Sequence, residues 1–260
     1  MDPGPGRGGR PALRLNAPAA GPVAGEDRRT GEDRPTGEGP EDGGGPGPGR
    51  IPRLHAVVPD AVAARDGFEA SAAAMWDRAG AELALHLRLR EATARRLHGL
   101  ARRLSERAAA AGGWCVVNGR VDVALAAGAQ GVQLGSGSLP ADEARRVLGP
   151  GTAVGVSAHA PPEARDAGRA GANLVLLGTI FPTPSHPDRP GAGLARVAAC
   201  RDAGPPVIAI GGITPARAAV ALRAGAHGVA AVRGVWEADD PAAAAGRYLE
   251  AMRATPEGGR

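Results

Sequence analysis

Residues 205–234 read PPVIAIGGITPARAAVALRAGAHGVAAVRG and hold one complete structural unit and the start of the next. The run 207–210 has the length and apolar composition of a buried strand. Gly211-Gly212 carries the chain out of it, and Thr214-Pro215 sets a capping residue before a proline at the first helical position. A helical pattern follows over 214–224. Ala224-Gly225-Ala226 then turns the chain into a second apolar run, 228–232, with glycine at the left-handed position that ends many helices.

The same beat extends back along the chain. Ala127-Gly128-Ala129 and Ala170-Gly171-Ala172 repeat the helix-to-strand phrase. Apolar runs fall at 54–58, 83–87, 114–117, 131–134, 153–156 and 174–177, making eight with the two above. Helical stretches lie at 67–79, 92–111, 120–128, 140–148, 161–170, 190–203, 214–224 and 240–253, and Asp240-Pro241 repeats the cap-and-proline signal. Eight strands alternating with eight helices predict an α/β fold, a single (β/α)8 TIM barrel over residues 51–254. An open doubly wound sheet would want a glycine fingerprint after its first strand, and Val57-Val58-Pro59-Asp60 supplies none.

Residues 1–50 differ in texture. They are rich in Gly and Pro, lack aromatics, and set seven Arg against Asp2, Glu26, Asp27, Glu32, Asp33, Glu38, Glu41 and Asp42. Such a segment buries too little apolar surface to offset its conformational entropy, so a disordered extension is expected, with a short tail at 255–260. Its balanced charge is not that of a nucleic-acid-binding arm.

Composition removes other classes. The net charge is only +4 and aromatics are 2%, so neither a polyanion-binding surface nor a base-stacking groove is expected, and no nucleic-acid partner. No apolar run reaches eighteen residues, so no membrane partner is expected. Cys115 and Cys200 stand far apart without metal-type spacing, and Cys115 reads as a small core residue. The N-terminus lacks a signal-peptide pattern, and cytoplasmic localisation is the expectation.

In a barrel of this type the chemistry collects at the C-terminal ends of the strands. The polar residues just after each run include Arg88, Arg90, Asn118, Arg120, Gln133, Ser136, Ser157, His159, Thr179, Thr183, Ser185 and His186. Gly211-Gly212 and Arg233-Gly234 follow, two neighbouring loops where such barrels often hold phosphate. Paired glycines serving only a tight turn are the alternative. Arg88 and Arg90 alternate along strand two and want an anion; surface exposure at a strand end is the other reading. His159, just beyond strand five, can take and give a proton near neutrality. His55 and His86 fall inside strands, where a core role is as well supported as a catalytic one. No pair of carboxylates lines the mouth, so neither a metal nor a cofactor is expected.

At these residues the chain resembles the thiamine phosphate synthase superfamily. The resemblance rests on Leu54-His55-Ala56-Val57, Asn118-Gly119-Arg120-Val121-Asp122, Gly155-Val156-Ser157-Ala158-His159, Ile180-Phe181-Pro182-Thr183 and Ala209-Ile210-Gly211-Gly212-Ile213-Thr214. The synthases usually carry Gln, Arg and Lys along strand two, Asn-Asp-Arg after strand three, and acids after strand four that hold Mg²⁺. This chain has His86, Arg88 and Arg90, then Gly119 in place of the aspartate, then Gln133-Leu134-Gly135-Ser136-Gly137-Ser138 without the acids.

Those departures are similar to the TenI-like thiazole tautomerase branch. The resemblance implies an isomerase of thiamine biosynthesis that aromatises a carboxythiazole phosphate by metal-independent proton transfer, with His159 as the acid/base group. Arg88 or Arg90 would face the substrate carboxylate. Asn118, Gln133, Ser157 and Thr183 would bind substrate, and Gly211, Gly212, Arg233 and Gly234 the phosphate of the small-molecule thiazole. The family often forms dimers, so a homodimer is a further expectation. The alternatives are a Mg²⁺-dependent thiamine phosphate synthase joining pyrimidine and thiazole phosphate, and a non-catalytic barrel that binds a phosphate ligand and regulates. A third has residues 1–50 docking a partner protein.

Overall fold

A computed structural model describes residues 49–184, 190–202 and 204–254. The extension expected at 1–50 therefore lies almost wholly outside the described residues, as do the tail at 255–260 and Ser185 and His186.

Eight parallel strands close on themselves in sequence order, with β1 (Leu54–Pro59) pairing both β2 (Leu83–Arg88) and β8 (Gly228–Ala231). Between them run β3 (Trp114–Asn118), β4 (Gly131–Leu134), β5 (Ala153–Ala158), β6 (Leu174–Gly178) and β7 (Val207–Ile210). Each expected apolar run became a strand, because a run of four to six buried residues bounded by glycine or polar turns has nowhere else to satisfy its backbone. The fold is the expected TIM barrel.

Helices return the chain outside: α1 (Asp60–Ala63), α2 (Phe68–Ala79), α3 (Ala94–Ala110), α4 (Val121–Ala126), α5 (Ala141–Leu148), α6 (Pro161–Arg169), α7 (Leu194–Cys200), α8 (Pro215–Arg223), α9 (Arg233–Trp236) and α10 (Pro241–Arg253). α1 and α9 were not expected; at four residues each they are too short to leave a period in the sequence. α7 is shorter than its expected range of 190–203. The expected caps are present. Thr214 Oγ1 accepts from Arg217 N at 3.3 Å, and Asp240 Oδ1 accepts from Ala242 N and Ala243 N.

The two strand faces bury different residues. Outward side chains meet the helices in one large apolar cluster that includes Leu85, Leu87, Leu177, Met75 and Tyr248. Inward ones form a second cluster of Ala84, Trp114, Val116, Ala153, Leu174, Leu176, Ile208 and Ala230. Each fully buried Leu or Ile contributes roughly 2 kcal/mol. With so few aromatics, the barrel draws its stability from many such modest contributions. Cys115 and Cys200 are free and buried. Among the described residues no helix is long and apolar enough to cross a membrane.

Candidate active site

Strand ends place the polar residues in one ring. Arg88 is the last residue of β2 and is exposed, whereas Arg90 lies in the turn beyond it, not on the strand as the alternation predicted. The cause is Asp60 at the start of α1. Its carboxylate accepts from Arg90 N at 2.8 Å and Glu91 N at 3.2 Å, bending the chain away from the sheet. These amides hold the Asp60 carboxyl below its ordinary value against the opposing pull of desolvation. Partial desolvation, then repulsion from Arg90, lowers the Arg88 pKa, while Asp60 acts the other way. Two guanidinium groups so placed are stabilised by an arriving anion.

Asn118 ends β3 and stands directly opposite Gln133 of β4. Gln133 is buried, and its Nε2 donates to Ser157 Oγ on β5 at 3.2 Å and to Leu134 O at 3.3 Å. A side chain at Gly155 would collide with Gln133 Oε1, so the glycine makes the room this amide occupies. His159 follows β5 and is held from three sides. Its Nδ1 lies 2.6 Å from Gly178 O at the end of β6, its own N–H donates to Glu163 Oε2 at 2.8 Å, and Arg196 donates to its carbonyl. A carbonyl oxygen only accepts, so the neutral ring carries its proton on Nδ1 and keeps a lone pair on Nε2.

The 211–212 turn has a backbone reason for both glycines. Gly211 has φ +102° and Gly212 φ +62°, the left-handed region glycine favours. A Cβ on Gly211 would strike Thr179, and one on Gly212 would strike Phe181 and the Pro182 carbonyl. Ile180 N and Phe181 N donate to Ile210 O and Gly211 O at 2.9 and 3.0 Å, lashing the segment after β6 to this turn.

Arg233 opens α9, where a loop was expected, and donates weakly to Thr183 Oγ1 at 3.4 Å. Gly234 has a packing reason too. A Cβ there would overlap the Tyr248 hydroxyl, which donates to Ile213 O at 2.8 Å. Arg217 was not foreseen. It donates to Gly212 O at 2.7 Å and stacks on Phe181 at 4.8 Å from the ring centre. A lone arginine in a helix's first turn carries no signal in sequence; only the fold puts it beside the double-glycine turn. The arrangement can hold anions at two places in one mouth, with a fixed imidazole among them.

Comparison with known proteins gives this site its family. Residues 54–235 match the family model TMP-TENI, described as thiamine monophosphate synthase. The chain belongs to that family. It is 45% identical over 169 residues to a thiamine-phosphate synthase of Roseiflexus castenholzii, covering 64% of this chain and 74% of that protein. It is 43% identical over 176 residues to one from Moorella thermoacetica, covering 67% and 84%. A solved thiamine phosphate pyrophosphorylase from Pyrococcus furiosus superposes with a TM-score of 0.67 at 27% identity, covering 78% and 96%.

These relatives correct the expected activity. The chain was expected to be a thiazole tautomerase, but relatives at 39–45% identity carry the name thiamine-phosphate synthase, and one at 46% is named a thiamine biosynthesis bifunctional protein. Gly119 and the 133–138 stretch had suggested the isomerase because the acids are missing. Losing acids removes metal donors, and that alone does not single out a tautomerase.

The residues do not fit the Mg²⁺ that the family's synthases use. Magnesium wants carboxylate oxygens, and among the described residues no three His, Cys, Asp or Glu group to hold a metal. Gly119, at φ +75°, faces Ser138 Oγ, which itself accepts from Gly135 N at 3.0 Å. The nearby Asp122 is paired with Arg120 at 2.6 and 2.8 Å, and that partner holds its carboxyl below the ordinary value.

Proposed function

We propose that this barrel joins a pyrimidine pyrophosphate to a thiazole phosphate, the reaction of a thiamine phosphate synthase. The thiazole nitrogen forms a bond to the pyrimidine's methylene carbon. The carbon–oxygen bond to pyrophosphate breaks, and its electron pair leaves on the pyrophosphate oxygen. The 45% identity to the Roseiflexus synthase over 74% of that protein's length carries this proposal.

In this reading the double-glycine turn, with Arg233 and Gly234, cradles the thiazole phosphate. Arg88 and Arg90 oppose the charge that grows on the leaving pyrophosphate, a role that guanidinium forks suit. Asn118, Gln133, Ser157 and Thr183 orient the two rings. His159 offers its Nε2 lone pair as hydrogen-bond or proton acceptor.

The test is direct. Purified protein is given both substrates, and thiamine phosphate is followed as thiochrome fluorescence while pyrophosphate release is measured in parallel. Equal amounts of the two products support the synthase. Absence of both from a folded protein would overturn it. His159→Asn should lower turnover by roughly a hundredfold while leaving substrate binding within about threefold.

A further inference from the structure

Two charged side chains converge on His159, and neither serves the helix that carries it. Glu163 lies in the first turn of α6, whose N-cap is Ala160 and whose first two residues are Pro161 and Pro162. An acid at this third helical position ordinarily turns back to the N–H of the capping residue. Glu163 reaches one residue further, and its Oε2 accepts from the N–H of His159 at 2.8 Å. The two prolines bring no N–H of their own, so α6 begins with fewer donors in want of a partner. Arg196 is the counterpart on α7. It stands in that helix's first turn, three residues after the N-cap Gly193, where the helix dipole disfavours a cation. Half-buried in that position, its guanidinium donates to the carbonyl oxygen of His159.

Both backbone groups of His159 are thus held by a charge, the N–H by a carboxylate and the carbonyl by a guanidinium. Charge-assisted bonds are about twice as strong as neutral ones. The third contact sets the ring, with Nδ1 at 2.6 Å from Gly178 O. α6 follows β5 and α7 follows β6, so the clamp spans the two strands whose ends supply His159 and the carbonyl that its ring meets. His159 is exposed. An exposed histidine on an untethered loop would spread over several rotamers and both neutral tautomers.

We propose that Glu163 and Arg196 are positioning residues that fix His159 from its two backbone ends, so that the imidazole keeps Nδ1 on Gly178 O and presents its Nε2 lone pair to substrate. The use made of that lone pair rests on the proposed synthase reaction, and the clamp rests on the geometry of α6 and α7.

Steady-state kinetics of the full chain with both substrates test it. Arg196→Met and Glu163→Ala should each lower kcat roughly tenfold with KM within about threefold, since a displaced acceptor loses rate rather than binding. Glu163→Gln keeps an oxygen that accepts from the amide and should recover most of the loss. The deciding measurement is a cycle with His159→Asn. In that background Arg196→Met should cost less than about twofold more, because the group that it positions is gone. The same tenfold loss in both backgrounds overturns the proposal, as does a rise in KM with kcat kept, or undiminished turnover in His159→Asn. A spectroscopic readout stands apart from turnover. Nitrogen-15 spectra of the histidine-labelled protein at pH 8 should show His159 with its hydrogen on Nδ1, and Arg196→Met should show both tautomers in exchange. Hydrogen on Nε2 in the unaltered protein, or an unmoved spectrum in both Arg196→Met and Glu163→Ala, overturns the clamp. The synthase reading fails separately: a folded protein without turnover but with the expected spectra loses that reading alone. Normal turnover with additive losses removes only the clamp.

Discussion

His55 and His86 are withheld from water, and desolvation is the first cause of the fall in both pKa values, to about 4 for His86. In the unfolded chain each would titrate near 6.5. Between pH 6.5 and about 4 the unfolded state therefore binds protons that the folded state refuses, so stability falls as pH falls through that window and is unaffected above it. At about 1.4 kcal/mol per unit, His86 alone accounts for a loss of roughly 3 kcal/mol by pH 4. Urea unfolding at pH 7, 5.5 and 4.5 should show the midpoint dropping, and His86→Gln should flatten the slope. An unchanged slope in that variant would mean that other groups carry the acid sensitivity. The lowered Asp122 carboxyl cannot imitate this, since its window lies lower and its partner Arg120 is exposed and screened. In the sequence, these histidines were as consistent with a core role as with a catalytic one. Their pairing depends on strands 31 residues apart lying side by side, which no local pattern records.

At the level of elements, what could be read was chemistry confined to a few neighbouring residues. Asp240-Pro241 announces a helix start, and in the fold Asp240 Oδ1 accepts from Ala242 N at 2.8 Å and Ala243 N at 3.0 Å. The helix it caps, α10, packs against α2 and α8 and buries Tyr248, whose hydroxyl holds the Ile213 carbonyl behind the double-glycine turn. Asp240→Ala should cost about 1 kcal/mol and lower the melting temperature by roughly 2–4 °C in a scanning calorimeter. A drop several times larger would mean that the cap also holds α10 in place. Strand ends were harder to read. Arg90 repeats the i, i+2 pattern of Arg88, but a carboxylate thirty residues earlier, Asp60, captures its amide and ends the strand. The same limit hid the packing reason for Gly234, which is a tyrosine hydroxyl in the next helix.

The whole molecule was legible as a barrel because the strand-and-helix beat repeats eight times, so one misjudged boundary does not disturb the count. Its activity was less legible: the missing acids suggested an isomerase, whereas the relatives' names favour the proposed transfer, for which missing acids are first of all a changed distribution of charge. A leaving pyrophosphate needs positive charge wherever it comes from. At this mouth Arg88 and Arg90 stand at the end of β2, while the β3 and β4 loops offer Gly119, Ser136 and Ser138 and no carboxylate. Guanidinium groups bring their own charge and donors in a fixed fork, so they can oppose the leaving group without a carboxylate cage. Two results should then go together. Electron paramagnetic titration of the ligand-free protein with Mn²⁺ should find no site tighter than about 1 mM, against the affinity that several converging carboxylates would provide. Arg88→Ala should lower kcat/KM by roughly a hundredfold or more, the scale on which one preorganised charge partner acts. If Arg88→Ala keeps activity within about threefold and Mn²⁺ binds tightly, the charge facing the leaving group comes from a metal. The carboxylates that hold it would then have to be found elsewhere in the chain.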